Sequence, residues 1–131
     1  NYELLNSIKG IGTINAMNTI IHTNNFQAFE TARQYACYLG IAPFEHSSGT
    51  SIKGKTRVYP TGAKLLKADL SQAANSAIVW DKEMKEYYER KRKEGKAYGV
   101  VLNAVKFKLV GRMFAVVKRG TPFVELMTYK K

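Results

Sequence analysis

Acidic residues are scarce in this chain. Of its 131 residues only 10 are Asp or Glu, against 21 Lys and Arg, which leaves a formal net charge of +11. Cysteine is scarcer: Cys37 is alone, so no internal disulfide can form, and no Cys/His cluster offers zinc-ligand spacing. No apolar run approaches the ~20 residues a membrane span requires, and no charged start followed by an apolar stretch and a small-residue cleavage site marks a signal peptide. The composition therefore predicts a soluble protein of a reducing, intracellular compartment with no membrane partner. What is present is enough apolar material for a core, 45% hydrophobic and 11% aromatic, in a length typical of one domain. Residue 1 is Asn and an apolar pair, Leu4-Leu5, follows almost at once, so the expectation is a single domain, 1–131, excised from a longer protein.

The charge is unevenly placed. Residues 1–44 hold Lys9 and Arg33 against Glu3 and Glu30 and sum to zero, so the whole +11 lies in 45–131. Two stretches are nearly free of acid: Lys53, Lys55, Arg57, Lys64 and Lys67 have no Asp or Glu among them, and from Lys106 to Lys131 only Glu125 intervenes. Such a distribution predicts a polyanion partner, of which nucleic acid is the commonest. Residues 81–94 alternate in sign, with Glu86 and Arg90, and Glu89 and Lys93, at the i,i+4 spacing of a solvated helix.

Helical spacing dominates, and nothing reads as alternating strands joined by hairpin turns. The expected fold is all-α: a helix-hairpin-helix and a packing helix in 1–44, a long basic serine loop in 45–61, a bundle of about three further helices in 62–122, and a tail in 123–131. A short helix over Tyr2–Ser7 precedes one from Thr13 to His22, with Ile14, Met17, Ile20 and Ile21 expected inward. Thr31 suits the N-cap of Ala32–Leu39, and Gly40 its C-terminal position of positive φ. Gly62 to Val79 places Leu65, Leu66, Leu70, Ala73, Ala77 and Ile78 inward. Asp81 caps the charged helix that ends at Gly95, and Ala97 to Arg119 buries Val101, Leu102, Val105, Leu109, Met113 and Val116. Lys108, Arg112 and Arg119 fall in one narrow stripe beside that last apolar face.

Three motifs bear on chemistry. In Ser7-Ile8-Lys9-Gly10-Ile11-Gly12-Thr13, the glycines permit a tight turn, and the N–H groups that open the next helix can receive a phosphate oxygen, with Lys9 beside them. The same glycines equally serve a plain αα-hairpin. In Pro43-Phe44-Glu45-His46-Ser47-Ser48-Gly49, a serine on a loop followed by cations could attack a phosphate, with His46 two residues before Ser48 as base. Equally, Ser-Gly is ordinary turn chemistry. Between Glu45 and the end of the following helix the only carboxylate is Asp69, so a complete metal site is not expected in this chain. The aromatics Tyr87, Tyr88, Tyr98, Phe107 and Phe114, interleaved with cations, could stack on bases but read better as core.

The order of Ser-Ile-Lys-Gly-Ile-Gly (7–12), Phe-Glu-Thr-Ala-Arg-Gln-Tyr (29–35), Tyr-Leu-Gly-Ile-Ala-Pro (38–43), Ser47-Ser48-Gly49, Arg57, Gly62, Leu66, Tyr87-Tyr88 and Gly120-Thr121-Pro122 resembles a known family. It is that of the C-terminal transposase domain of Piv-invertase-like insertion-sequence transposases with a DEDD, RuvC-like catalytic domain, also described as bridge-RNA-guided recombinases. The resemblance implies DNA transposition and recombination in which an N-terminal RuvC-like domain supplies the acidic ligands of a divalent metal, Mg, and this domain supplies the attacking serine. By its place before the glycine that serine is Ser48, with Ser47 as the fallback. It further implies DNA as partner, a guide RNA, homo-oligomers on DNA, and a bacterial or archaeal cytoplasmic, nucleoid-associated setting. The chain alone is then expected to bind and not to cut. Two positions depart from the pattern: Pro60 stands where the family usually has Lys, and Lys67 where it usually has Arg, exchanging a bidentate contact for a point charge. The competing expectation is a non-enzymatic helix-hairpin-helix module binding DNA or RNA.

Overall fold

In the computed structural model the described residues are 1–41 and 61–124, with the side chains of 61–64 outside that description. They form six helices and no strand: α1 (Tyr2–Asn6), α2 (Thr13–His22), α3 (Ala32–Leu39), α4 (Thr61–Trp80), α5 (Lys82–Lys93) and α6 (Tyr98–Arg119). The all-α expectation holds, and so do the element boundaries to within one or two residues. His46, Ser47, Ser48, Lys53, Lys55, Arg57, Pro60 and the tail from 125 onward lie outside the described residues, as does the side chain of Lys64.

Local chemistry sets the boundaries. Thr31 accepts a hydrogen bond from the Gln34 N–H at 3.1 Å, while the Gln34 side chain reaches back to accept from the Glu30 N–H, a reciprocal arrangement that starts α3. Gly40 ends α3 at φ +80° and Gly120 ends α6 at φ +76°. Beyond α2 three successive residues, Asn24, Asn25 and Phe26, adopt positive φ. Asn tolerates that region, and Phe26 is held in it by its N–H bond to Thr23 Oγ1 and by edge-on packing of its ring against Phe114.

α4 is the central element, packing against α2, α3, α5 and α6. Its stripe Leu66, Leu70, Ala73, Ala74 and Ala77 is buried, and the small residues let neighbouring backbones approach closely. Gly10 shows how closely: at φ +98° it lies so near α4 that an added Cβ would stand 2.8 Å from the Ala73 carbonyl oxygen. All six residues named for the inner face of α6 are buried. Tyr35 fills the centre near Phe29, Tyr38 and Phe114; burial pushes its phenol well above the usual value, with a hydrogen bond to Thr19 opposing.

The inward expectation fails at three of the four positions named on α2 and at one position of α4. Ile14 and Ile21 are 63% and 65% exposed, Met17 is exposed too, and so is Leu65. α2 turns a narrower and more polar face to α4, burying Ala16 and Thr19, because Asn15 and Asn18 donate to the Asp69 backbone oxygen and carboxylate at 3.1 and 2.9 Å. Those two bonds fix the rotation of the helix and leave Ile14, Met17 and Ile21 on the outside, while Ile20 stays half-buried against the core as expected. Asp69, the one acid of α4, is thereby a helix-to-helix tie.

Candidate nucleic-acid interface

The turn between α1 and α2 presents a helix N-terminus to solvent. Gly12 is its N-cap and has no side-chain cap bond, and a Cβ there would meet nothing within 4 Å. The N–H groups of the first turn therefore open onto a shallow cleft of about 340 Å³ lined by Gly12, Thr13, Asn15 and Gln72. The two glycines differ in role. Gly10 is required by its φ and by the approach of α4, whereas Gly12 leaves space for a ligand. Lys9 is exposed at the edge of this turn. Ser7 is structural: its Oγ donates to the Leu4 carbonyl at 2.6 Å and accepts from the Phe123 N–H at 2.8 Å, joining α1 to the segment after α6.

The stripe Lys108, Arg112 and Arg119 is not the free basic face its spacing suggests. It runs along the seam between α6 and α5. Arg112 donates to Asp81 Oδ2 and Glu83 Oε1, both at 2.7 Å, while its guanidinium lies 4.3 Å from the centre of the Phe123 ring. Its side chain is only 12% exposed. With two carboxylates on one fork, this arginine has a structural role and no charge left for a phosphate. Asp81 is itself buried and caps α5 through the Met84 N–H, so a single carboxylate fixes the α4–α5 corner and docks α6 on it. Lys108 lies over the Tyr87 ring at 4.6 Å, and Arg119 holds the turn at Thr121 and Pro122. Both remain exposed.

On α5, Lys82 reaches Glu86 at 3.9 Å, and Arg90 lies over Tyr87. Tyr87, Phe107 and Phe114 are half-buried against the core, and Tyr88 and Tyr98 meet edge to face. These aromatics pack more than they stack.

A residue not singled out by sequence is Lys106, which is 5% exposed although α6 contains no acid of its own. Burial, and then the charge of Lys67 on α4, hold its ammonium below the usual lysine value. Lys67 is half-buried. A lysine at a position otherwise spaced as core, next to Leu102 and Val110 on the helix, is the sequence signal for it. Among the described residues no group of three or more His, Cys, Asp or Glu could hold a metal ion, and no helix is long and apolar enough to cross a membrane.

The sequence pattern of the IS116/IS110/IS902 family of transposases matches residues 2–89, from α1 into α5. The chain belongs to this family. It is 30% identical over 118 residues to the insertion element IS110 43.6 kDa protein of Streptomyces coelicolor, covering 90% of this chain and 29% of that protein. It is 27% identical over 123 residues to the pilin gene-inverting proteins of Moraxella bovis and Moraxella lacunata, covering 92% of this chain and 38% of each. The chain thus spans well under half the length of these relatives. The matched region ends before α6, so the helix that carries Lys106, Lys108 and Arg112 lies outside the family pattern while forming part of the same core.

Proposed function

We propose that this chain is the C-terminal, DNA-binding and serine-donating domain of an insertion-sequence transposase or recombinase, working with a RuvC-like domain outside these residues. The observation that carries the reading is the family match over 2–89, which includes Ser47 and Ser48. The +11 charge, all of it from residue 45 onward, supports DNA as the ligand. The pilin gene-inverting relatives support DNA inversion or transposition as the outcome.

In this reading the phosphodiester is attacked by Ser48 Oγ, with Ser47 as the alternative nucleophile. The Oγ–P bond forms, the bond from phosphorus to the leaving deoxyribose oxygen breaks, and the serine proton ends on that oxygen. The phosphoserine ester conserves the bond for rejoining. Lys9 with the N–H groups at Gly12, the basic residues Lys53, Lys55, Arg57, Lys64 and Lys67, and exposed Lys108 and Arg119 supply phosphate contacts that set position and not sequence. Arg112 is not among them. In this reading a divalent metal, Mg, is held by the acidic residues of the RuvC-like domain. A guide RNA and a homo-oligomer on DNA complete the proposal.

Covalent trapping in the full-length protein tests it. Ser48→Ala abolishes the protein–DNA adduct and leaves DNA affinity within about twofold, as expected for a nucleophile that contributes little to binding. An undiminished adduct overturns the assignment, and an adduct lost only in Ser47→Ala moves the role by one residue. The second reading, a helix-hairpin-helix binding module without chemistry, is favoured by the uncapped N-terminus at Gly12 and requires that neither serine variant changes any activity.

A further inference from the structure

Tyr87 gathers cations on the seam between α5 and α6. The Lys108 ammonium of α6 stands 4.6 Å from the centre of its ring, and on α5 the Arg90 guanidinium and the Lys91 ammonium stand 5.4 and 5.8 Å from the same point. Positions 87, 90 and 91 share one face of α5, at the i,i+3 and i,i+4 spacing that brings side chains together. The ring itself is half-buried against the core, so its position is fixed by packing.

The neighbouring contact on the seam differs in kind. One turn further along α6 and one turn back along α5, Arg112 meets the Glu83 carboxylate at 2.7 Å. A carboxylate cancels the charge it binds. A ring does not, because its attraction for a cation comes from a quadrupole that carries no net charge. Arg90 and Lys108, both exposed, are therefore ordered by Tyr87 without being neutralised by it. Glu86, whose i,i+4 spacing from Arg90 suggests an ion pair, meets Lys82 at 3.9 Å instead, and Glu89 stands ~200° around α5 from Tyr87. Glu94 meets Lys91 at 3.4 Å, so Lys91 shares its charge and Arg90 and Lys108 are the principal pair. An anion placed between two like charges relieves both at once, and the ring has already ordered their stems, so little side-chain entropy is lost when it arrives.

We propose that Arg90 and Lys108, positioned by the Tyr87 ring, form a seat across the α5–α6 seam for the phosphodiester backbone of a bound nucleic acid. The inference rests on the DNA-binding reading above and deepens it. It joins Lys108 to Arg90, which the charge pattern alone assigns to a solvated helix, and it makes Tyr87 a positioning residue. The family pattern over 2–89 includes the ring and stops short of both cations. The seat reads backbone and not sequence.

The test measures the affinity of the full-length protein as a function of salt for a DNA duplex of about 20 base pairs and for an RNA hairpin of similar charge, together with Tm. Wild type is compared with Arg90→Gln, Lys108→Gln, Tyr87→Phe and Tyr87→Leu, and with Lys85→Gln as an exposed control elsewhere on α5. Arg90→Gln and Lys108→Gln each weaken binding about fivefold and lower the log–log salt slope by up to ~0.9, the share of one phosphate. Tyr87→Phe keeps the ring and the wild-type affinity. Tyr87→Leu removes no charge, yet weakens binding about threefold, because the ligand must now order two long side chains itself. In the Arg90→Gln/Lys108→Gln background the same Tyr87→Leu change costs nothing further, since the ring acts only through the two cations. Lys85→Gln changes neither affinity nor slope to that degree.

If Arg90→Gln and Lys108→Gln stay with the Lys85→Gln control while wild type binds, the cluster is a solvated face and the seat alone is overturned. A Tyr87→Leu loss of equal size in both backgrounds, following a fall in Tm, would make the ring a packing residue and overturn its positioning role. Losses in both arms, or in one of them, support the seat and tell whether its phosphates belong to DNA, to RNA or to either. A wild-type protein that binds neither ligand would overturn the DNA-binding reading and the seat with it.

Discussion

Arg112 and Lys106 stand six residues apart on α6, both largely buried and both cationic, yet their surroundings are opposite. Arg112 is met by two carboxylates at 2.7 Å and a ring beneath its guanidinium, so its charge is spent inside the molecule. Lys106 is packed at 5% exposure on a helix that carries no acid of its own. A buried cation with full compensation joins helices, whereas a buried cation without it carries a desolvation penalty in the folded state. The difference separates a cation that joins helices from one that is only packed, and charge counting along the chain cannot make that separation.

The largest effect should come from removing the carboxylate that makes Arg112 structural. Asp81→Ala deletes the cap of α5 and leaves the Arg112 guanidinium, 12% exposed, with only the exposed Glu83 as partner. A loss of roughly 3–5 kcal/mol is expected on breaking such a pair, read as a fall in the urea midpoint. A loss below about 1 kcal/mol would mean that Glu83 alone suffices.

Arg112→Met sharpens the same contrast. It leaves Asp81 buried but still bonded to the Met84 N–H, so the expected loss is smaller, about 2–3 kcal/mol. The salt slope of DNA binding should not change at all, since this charge is already neutralised. A fall in slope by ~0.9 would place a phosphate on Arg112 and deny it a purely structural role.

At the α1–α2 turn the two glycines offer a similar contrast on a smaller scale. Gly10→Ala forces a Cβ into a backbone at φ +98° and to within 2.8 Å of the Ala73 carbonyl, for an expected loss of about 1–3 kcal/mol. Gly12→Ala meets open space, and should lower stability by less than about 1 kcal/mol, since Ala is a poorer N-cap than Gly. Equal losses at the two positions would refute the separate roles assigned to them.

Much of this architecture was legible in the chain. The boundaries of α2, α3 and α5, the cap at Thr31, the stop at Gly40 and the inner face of α6 all follow from short-range periodicity and capping chemistry, which act within four residues. What was not legible depends on partners far apart in sequence. Arg112 meets Asp81 across 31 positions, and Asn15 and Asn18 meet Asp69 across more than 50, so nothing local distinguishes a neutralised arginine from a free one or predicts that α2 will turn Ile14, Met17 and Ile21 outward. Lys106 had a local trace, a charge at a core-spaced position, but its burial required the fold to pack α6 against α4.

The smallest effect concerns the protonation of Lys106 in the free protein. In the folded state burial, and then Lys67, lower its proton affinity below the ordinary lysine value that it has in the unfolded chain. At neutral pH both states hold the proton, and the folded state bears the unfavourable charge. As pH rises through the lowered folded value the folded state releases its proton first, so the unfolded state binds more protons and stability from this group increases with pH. Above the unfolded value both states are neutral and the penalty has gone. Lys106→Met has no such group. The Tm advantage of Lys106→Met over wild type should therefore be greatest near pH 7 and shrink steadily toward pH 10. An advantage independent of pH would show that the gain comes from apolar packing alone, and that Lys106 and Arg112 differ less than their partners suggest.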